Sequence, residues 1–158
     1  MVVYYSWEGH ARAYAKELAV LRKDTIFELR EKKRRFGILG FISGCFQSVT
    51  KKEAEITGTP DLRKEKEIFI CSPVWASCVT PAVRYFINHT RIEGITVNFL
   101  LTCASIDKQG DYTKAAFDAL KSTEAEHGEA YVFACPRKSA LDTEIIRSHI
   151  KKVILGVD

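Results

Sequence analysis

The sequence lacks several features that would assign it to a common class of protein. Its five cysteines are scattered and odd in number, so they do not form the framework of a disulfide-rich secreted protein. It has neither the cysteine and histidine spacing of a zinc site nor the Gly-x-Ser-x-Gly motif of a serine hydrolase. The longest apolar run, residues 97–101, is far shorter than the roughly 20 residues of a membrane span. Residues 1–5 show no basic region or cleavage site of an export signal. We therefore expect a cytoplasmic protein with no membrane partner.

The positive charge is modest but unevenly distributed. The net charge is +4, and five basic residues fall within residues 30–35, followed by Lys51 and Lys52. Such a run suits either a nucleic-acid interface or a solvated connection between elements. Because no interleaved aromatic residues and no nucleic-acid motif accompany it, we favour the solvated connection and expect no nucleic-acid partner. An acidic protein partner or a cofactor phosphate would also suit these charges.

Hydrophobic patterning predicts one α/β domain that covers residues 1–158. Hydrophobic residues make up 46% of the chain and charged residues 28%, as in globular proteins. Strand-like runs at residues 1–5, 25–30, 67–71, 95–101 and 130–135 alternate with helical patterns, the last helix being capped by Asp142. We predict that Gly128 ends the fourth helix, that Pro136 stops the fifth strand, and that Leu141 staples onto Ile146. This alternation predicts a parallel sheet with helices on both faces.

Residues 31–60 are the least regular part of the chain. Ile38, Phe41, Ile42 and Cys45 have helical spacing, although nearby glycines weaken the pattern. We predict a poorly regular helix that covers the sheet with these residues.

Two loops after strands have the composition of a ligand site. The first, residues 6–11, contains a hydroxyl and a glycine and feeds directly into a helix, so it suits a phosphate group. The second follows the third strand and carries Trp75 before Thr80 and Pro81, which we predict to be the N-cap and first residue of the next helix. In parallel α/β sheets, ligands bind at the carboxyl ends of the strands, where these loops lie.

These two loops resemble those of the flavodoxin family. The segment Val3-Tyr4-Tyr5-Ser6-Trp7-Glu8-Gly9-His10 is similar to the family's phosphate loop, and Ser72-Pro73-Val74-Trp75-Ala76 with Pro81-Ala82-Val83-Arg84 is similar to its second loop and helix start. The segment from Gly40 to Lys52 resembles the connection in small single-domain members. The resemblance covers the chain from its first residue to its last helix.

The resemblance implies a flavodoxin-like doubly wound five-stranded parallel sheet of order 2-1-3-4-5 that binds FMN. The phosphate would lie on the first loop, and the flavin ring would lie between the second and third loops. By position, the phosphate loop comprises Ser6, Trp7, Glu8, Gly9, His10 and Ala11. The ring would contact Ser72, Pro73, Val74, Trp75, Ala76 and Ser77 on one side and Thr102, Cys103, Ala104 and Ser105 on the other.

The sequence departs from the family pattern at three positions. His10-Ala11 stands where the family has Asn-Thr, and Ser77 stands where it often has glycine. The resemblance implies a redox protein, either an electron carrier or a component of a flavin-dependent oxidoreductase, with a partner protein or a small electron acceptor. Two alternatives remain open. One is a binding or regulatory module of the same fold without cofactor, and the other is an NAD(P)H-dependent quinone reductase.

Overall fold

A computed structural model describes residues 1–135 and 142–156 of the chain. Five strands form one parallel sheet of order β2-β1-β3-β4-β5. The strands are β1 (Val2–Tyr4), β2 (Ile26–Glu28), β3 (Glu67–Pro73), β4 (Thr96–Cys103) and β5 (Glu126–Ala134). The predicted fold class and strand order are therefore confirmed.

Five α-helices connect or follow the strands within residues 1–135 and 142–156. They are α1 (His10–Arg22), α2 (Gly37–Val49), α3 (Pro81–His89), α4 (Gln109–Asp118) and α5 (Thr143–His149), and a π-helical turn at Ile150–Ile154 follows α5. None of the helices in the described ranges is long and apolar enough to cross a bilayer.

The core lies on both faces of the sheet, because neighbouring strand residues point alternately to opposite faces. On one face, Tyr14 and Leu18 of α1 and Ile146 of α5 pack against Phe69 and Leu100. On the other face, side chains of α3 and α4 pack against the opposite set of strand residues, including Val83, Phe86, Ala116, Ile70 and Phe99. Every one of these residues is buried, as expected for a parallel sheet covered by helices.

The predicted helix caps are present in part. Asp142 caps α5, because its Oδ1 accepts hydrogen bonds from the backbone N–H groups of Glu144 at 2.9 Å and Ile145 at 3.3 Å. Thr80 is the N-cap residue of α3 and Pro81 is at its start, but the Thr80 hydroxyl lies 3.2 Å from Ser72 Oγ and caps no N–H group. The predicted strand stop at Pro136 and the staple from Leu141 lie outside the described residues.

The prediction that Gly128 ends α4 is wrong. The helix ends at Asp118, and Gly128 lies within β5, which begins earlier than predicted. The register between β4 and β5 shifts here, and a Cβ at Gly128 would overlap the side chain of Asn98. Asn98 uses that space to accept a hydrogen bond from the Glu129 N–H at 2.7 Å. Glycine is therefore required by a close approach within the sheet.

The predicted orientation of α2 is wrong for Ile38 and Ile42, whereas Cys45 packs against the core and Phe41 against Trp75. The helix exists, but Ile38 and Ile42 are mostly solvent-exposed and Gly44 and Ser48 are its buried residues. The helix turns its small residues toward the protein, because bulky side chains of the protein occupy that space.

Candidate functional site

A pocket of about 600 Å³ opens at the carboxyl edge of the sheet, beside the ends of β1, β3 and β4. This volume lies within the range of about 300–1,000 Å³ that is typical of small-molecule sites. Residues from all three predicted loops line it: Ser6, Trp7, Glu8, His10, Ala11, Pro73, Val74, Trp75, Thr102, Cys103 and Ala104. The fold therefore brings together three segments that are far apart in the sequence.

The first loop places the start of α1 at the pocket. Ser6 Oγ accepts a hydrogen bond from the Gly9 N–H at 3.1 Å, which closes the turn. Gly9 is the N-cap residue of α1 with φ of 98°, a backbone conformation that favours glycine. Glycine has no side-chain acceptor for the first N–H groups of the helix, and no acidic residue occupies the first turn. This helix end is therefore suited to an anion.

One acidic and one basic side chain flank the same loop. The Nδ1 atom of His10 lies 4.0 Å from Oε2 of Glu8, and both residues line the pocket. The Arg12 side chain lies next to Gly9. The loop thus places His10, Arg12 and the acidic Glu8 beside the helix end.

Trp75 forms part of the pocket wall and part of the core. Only 3% of its surface is exposed. Its ring makes edge-on contacts with Tyr5, Trp7 and Phe41, with ring centroids 5.7, 5.9 and 5.7 Å apart. The pocket therefore has an aromatic wall, a surface to which a flat apolar ring can pack.

Trp75 begins a tight turn that removes two predicted residues from the pocket lining. The backbones of Trp75 and Cys78 exchange two hydrogen bonds of 3.0 Å each. The two residues between them, Ala76 and Ser77, have φ of 49° and 61°. Two successive residues with positive φ are the requirement of a type I′ turn, which usually contains asparagine or glycine. Neither residue lines the pocket.

The third loop is linked directly to the second. The Val74 N–H donates to the Thr102 carbonyl at 2.9 Å, so the two walls of the pocket share a hydrogen bond. Ser105, by contrast, is exposed and its Oγ lies 2.6 Å from Asp107 Oδ2. Ser72 is fully buried and its hydroxyl donates to the Pro73 carbonyl at 3.0 Å. Gly9, Ser72, Ala76, Ser77 and Ser105 are therefore adjacent to the pocket without lining it.

Sequence reasoning missed the wall contributed by α2. Gly37, Ile38 and Phe41 line the pocket, as does Cys135 after β5. The signal that would have found α2 is the spacing of Gly40, Gly44 and Ser48, four residues apart, which marks a close approach of the helix to the protein.

A buried ion pair supports this wall from behind. The Arg35 guanidinium binds both carboxylate oxygens of Glu31, with Nε at 3.0 Å from Oε1 and 2.7 Å from Oε2, and also donates to Gln47 Oε1 at 2.6 Å. It lies 6.0 Å from the centroid of the Trp75 ring. The side chains of Arg35 and Glu31 are only 9% and 6% exposed. The prediction that the basic run is a solvated connection is therefore wrong for Arg35.

Burial raises the pKa of several groups around the pocket. Burial raises the pKa of Glu31 although Arg35 and Tyr5 counteract this, and it raises the pKa of Tyr5 well above its usual range. Burial also raises the pKa of the Cys103 thiol, and that of Cys135 to about 12. Both thiols donate to the Phe133 carbonyl. Among the residues that the structure describes, no cluster of three or more histidine, cysteine or acidic residues forms a metal site.

Comparison with solved structures identifies the fold. A structure assigned to a flavoprotein from Bacteroides uniformis ATCC 8492 aligns with a TM-score of 0.75 and 19% identity, covering 96% of each chain. A flavoprotein from Lactobacillus acidophilus NCFM, crystallised in complex with FMN, aligns with a TM-score of 0.71 and 18% identity over 83% of this chain and 90% of that chain. The two-electron reduced flavodoxin of Megasphaera elsdenii aligns with a TM-score of 0.52 and 15% identity over 97% and 100%.

These alignments show that the chain has the flavodoxin-like fold. No protein-family model matches the sequence, and no curated protein matches it either. The likeness therefore lies in the arrangement of strands and helices. The loop motifs in the sequence imply the same fold. The individual contacts of the predicted site residues with a cofactor stay predictions.

Proposed function

We propose that this chain binds FMN non-covalently in the pocket and passes electrons as a flavodoxin-like redox protein. The observation that carries the proposal is the pocket itself, which joins the start of α1 to an aromatic wall built on Trp75. One end suits a phosphate, the other suits a flat apolar ring, and the Lactobacillus neighbour of the same fold was crystallised with FMN.

The residues present fit such a ligand. Gly9 leaves the first N–H groups of α1 free of a side-chain cap, and His10 and Ser6 border the same space. Ala11, in place of a hydroxyl residue, contributes only its backbone N–H to an anion. Trp7, Val74 and Trp75 exclude water from the apolar end. FMN supplies one- and two-electron chemistry when bound, and the protein sets its position and electrostatic environment.

Flavin fluorescence quenching on titration of the purified protein tests the proposal. We expect a dissociation constant in the micromolar range or tighter, and weaker binding of riboflavin, which lacks the phosphate. His10→Glu places a carboxylate at the start of α1 and should weaken FMN more than riboflavin. Val20→Glu introduces the same carboxylate on the exposed far end of the same helix and is the matched control.

Absence of quenching at saturating FMN would exclude this function and favour a binding module without cofactor. Equal affinity for FMN and riboflavin would exclude the phosphate site at α1. Stopped-flow mixing of the loaded protein with NADPH separates the remaining roles, because a quinone reductase is reduced directly by NADPH and an electron carrier needs a redox partner.

A further inference from the structure

The outer side of α2 exposes an unusual number of large apolar side chains. We call this surface the α2 ridge and define it by six residues: Phe36, Ile38, Leu39, Ile42, Phe46 and Val49. Each is between 56% and 77% exposed. Helix α2 contains no charged residue at any position. Scattered apolar residues on a surface are ordinary, but a contiguous row of this size marks an interaction site.

The α2 ridge cannot turn inward without a change in the sequence. The inner side of the helix consists of Gly40, Gly44 and Ser48, which lie four residues apart. A Cβ at Gly40 would lie 2.9 Å from Cβ of Arg35, and a Cβ at Gly44 would overlap the Trp75 ring. Only small residues fit where the helix backbone lies closest to the protein, so the ridge residues face solvent, although Phe41 contacts Trp75 and Cys45 packs against the core.

Basic residues stand at both ends of the ridge. Lys32, Lys33 and Arg34 precede it, Lys51 and Lys52 follow it, and all are exposed. Lys32 is paired with Glu55 at 3.2 Å, whereas Lys33, Arg34 and Lys52 form no ion pair with any residue in the ranges 1–135 and 142–156. Glu53, the acidic residue nearest Lys52, is engaged by His89 and Asn88 on α3.

We propose that the α2 ridge binds the surface of an anionic lipid bilayer. The apolar side chains would enter the region between headgroups and acyl chains, and the basic ends would attract lipid phosphates. Apolar burial combined with flanking lysine and arginine is the recognition pattern of helices that lie in a membrane interface. A helix of 13 residues is about 20 Å long, so it lies along the surface and does not span it.

The charges disfavour a second copy of the chain as the occupant. In a two-fold symmetric contact along α2, either antiparallel or parallel, a basic end of one copy meets a basic end of the other. Like charges brought together at an interface oppose association. An anionic bilayer, by contrast, offers negative charge along the whole length of the ridge.

The expectation of no membrane partner, drawn from the sequence, rested on the absence of a long apolar run. That criterion concerns spanning helices and has no bearing on surface binding. The test of the proposal contains no flavin, so it is separate from the test of the proposed function. Ile38 also lines the pocket and is left unchanged in every variant used below.

Co-sedimentation of the full chain with vesicles tests the proposal. We expect binding to vesicles of phosphatidylcholine with phosphatidylglycerol, and at least tenfold weaker partitioning into pure phosphatidylcholine vesicles or at high salt.

Ile42→Ser/Phe46→Ser should weaken partitioning by tenfold or more, and Val20→Ser, an equally exposed position on α1, should leave it unchanged. Lys33→Glu/Arg34→Glu should abolish it, whereas Lys16→Glu/Lys66→Glu, with the same change of net charge, should reduce it only slightly.

Three results would overturn the proposal. The first is no partitioning of the wild-type chain into anionic vesicles at low salt. The second is equal partitioning for the Ile42→Ser/Phe46→Ser and wild-type chains. The third is a dimer in sedimentation equilibrium that Ile42→Ser/Phe46→Ser dissociates, because the ridge would then be a self-association surface.

Discussion

The six-membered ring of Trp75 lies directly against the Cα atom of Gly44, so closely that a Cβ at position 44 would overlap Cζ3 of the indole. This contact joins the second loop to α2. It also explains the exposed apolar ridge, because position 44, where the helix backbone meets the Trp75 ring, has room only for glycine.

Gly44→Ala should destabilise the protein by up to about 2 kcal/mol. Insertion of a methyl group into a packed contact costs about 1–3 kcal/mol, and the better helix propensity of alanine offsets about 1 kcal/mol of this. Urea unfolding measures the change. Gly110→Ala in α4 is the matched control, since nothing lies within 4 Å of a Cβ there, and it should be neutral or stabilising. If Gly44→Ala were equally stabilising, the Trp75 contact would be absent.

The α2 segment also shows where sequence patterning stops being informative. The helix was predictable from its spacing, but the side that faces the protein was not. Periodicity normally identifies the buried side by its large apolar residues. Here Trp75, more than 30 positions away along the chain, decides which side is buried. A contact between distant segments of this kind is not encoded in local periodicity.

The Glu31–Arg35 pair predicts a large effect when one partner is removed. Arg35→Met leaves a buried carboxylate without its cation, and such changes cost about 3–5 kcal/mol. Glu31→Gln/Arg35→Met removes both charges and should be much less destabilising than Arg35→Met alone. If urea unfolding gave the same loss of unfolding free energy for the single and the double variant, the two residues would not be coupled.

The same pair predicts a pH dependence. Burial raises the pKa of Glu31 above 4.5 in the folded protein, and removal of Arg35 removes a cause that lowers it. The folded state of Arg35→Met therefore binds the proton more tightly than the unfolded state, and its stability falls as pH rises above about 4.5. We expect the stability difference between wild type and Arg35→Met to be larger at pH 8 than at pH 5. The double variant should show no such trend.

The site was more predictable than its detailed lining. The three loops were predictable because parallel strands end at one edge of the sheet, and Ser6, Val74 and Thr102 do line one pocket. Ser77 was placed in the lining by its position in the motif. Ser77 instead lies in the tight turn between Trp75 and Cys78 and does not line the pocket, because tight turns depend on φ values that residue identity alone does not determine.

Ser77→Gly should stabilise the protein by about 0.5–1 kcal/mol. Ser77 has φ of 61°, and a left-handed conformation costs about 1–2 kcal/mol for a residue with a Cβ. Glycine removes this strain but loses part of the gain because its unfolded state is more flexible. Thermal unfolding measures the change. Ser122→Gly, in a loop without positive φ, should be destabilising. If both variants changed the stability in the same direction, the strained turn would be contradicted.

Cysteine alkylation reports on both the pocket and the cofactor. At pH 8, Cys71 should be the slowest to react with iodoacetamide, because it is fully buried and burial strongly raises its pKa. Burial raises the pKa of Cys135 to about 12, so its reaction should keep accelerating above pH 9, where that of an ordinary thiol levels off. Saturating FMN should slow the labelling of Cys103, which lines the pocket, and leave that of Cys45 on α2 unchanged. Peptide mass spectrometry resolves each site. Bound FMN that leaves the Cys103 rate unaltered would place the flavin away from the third loop.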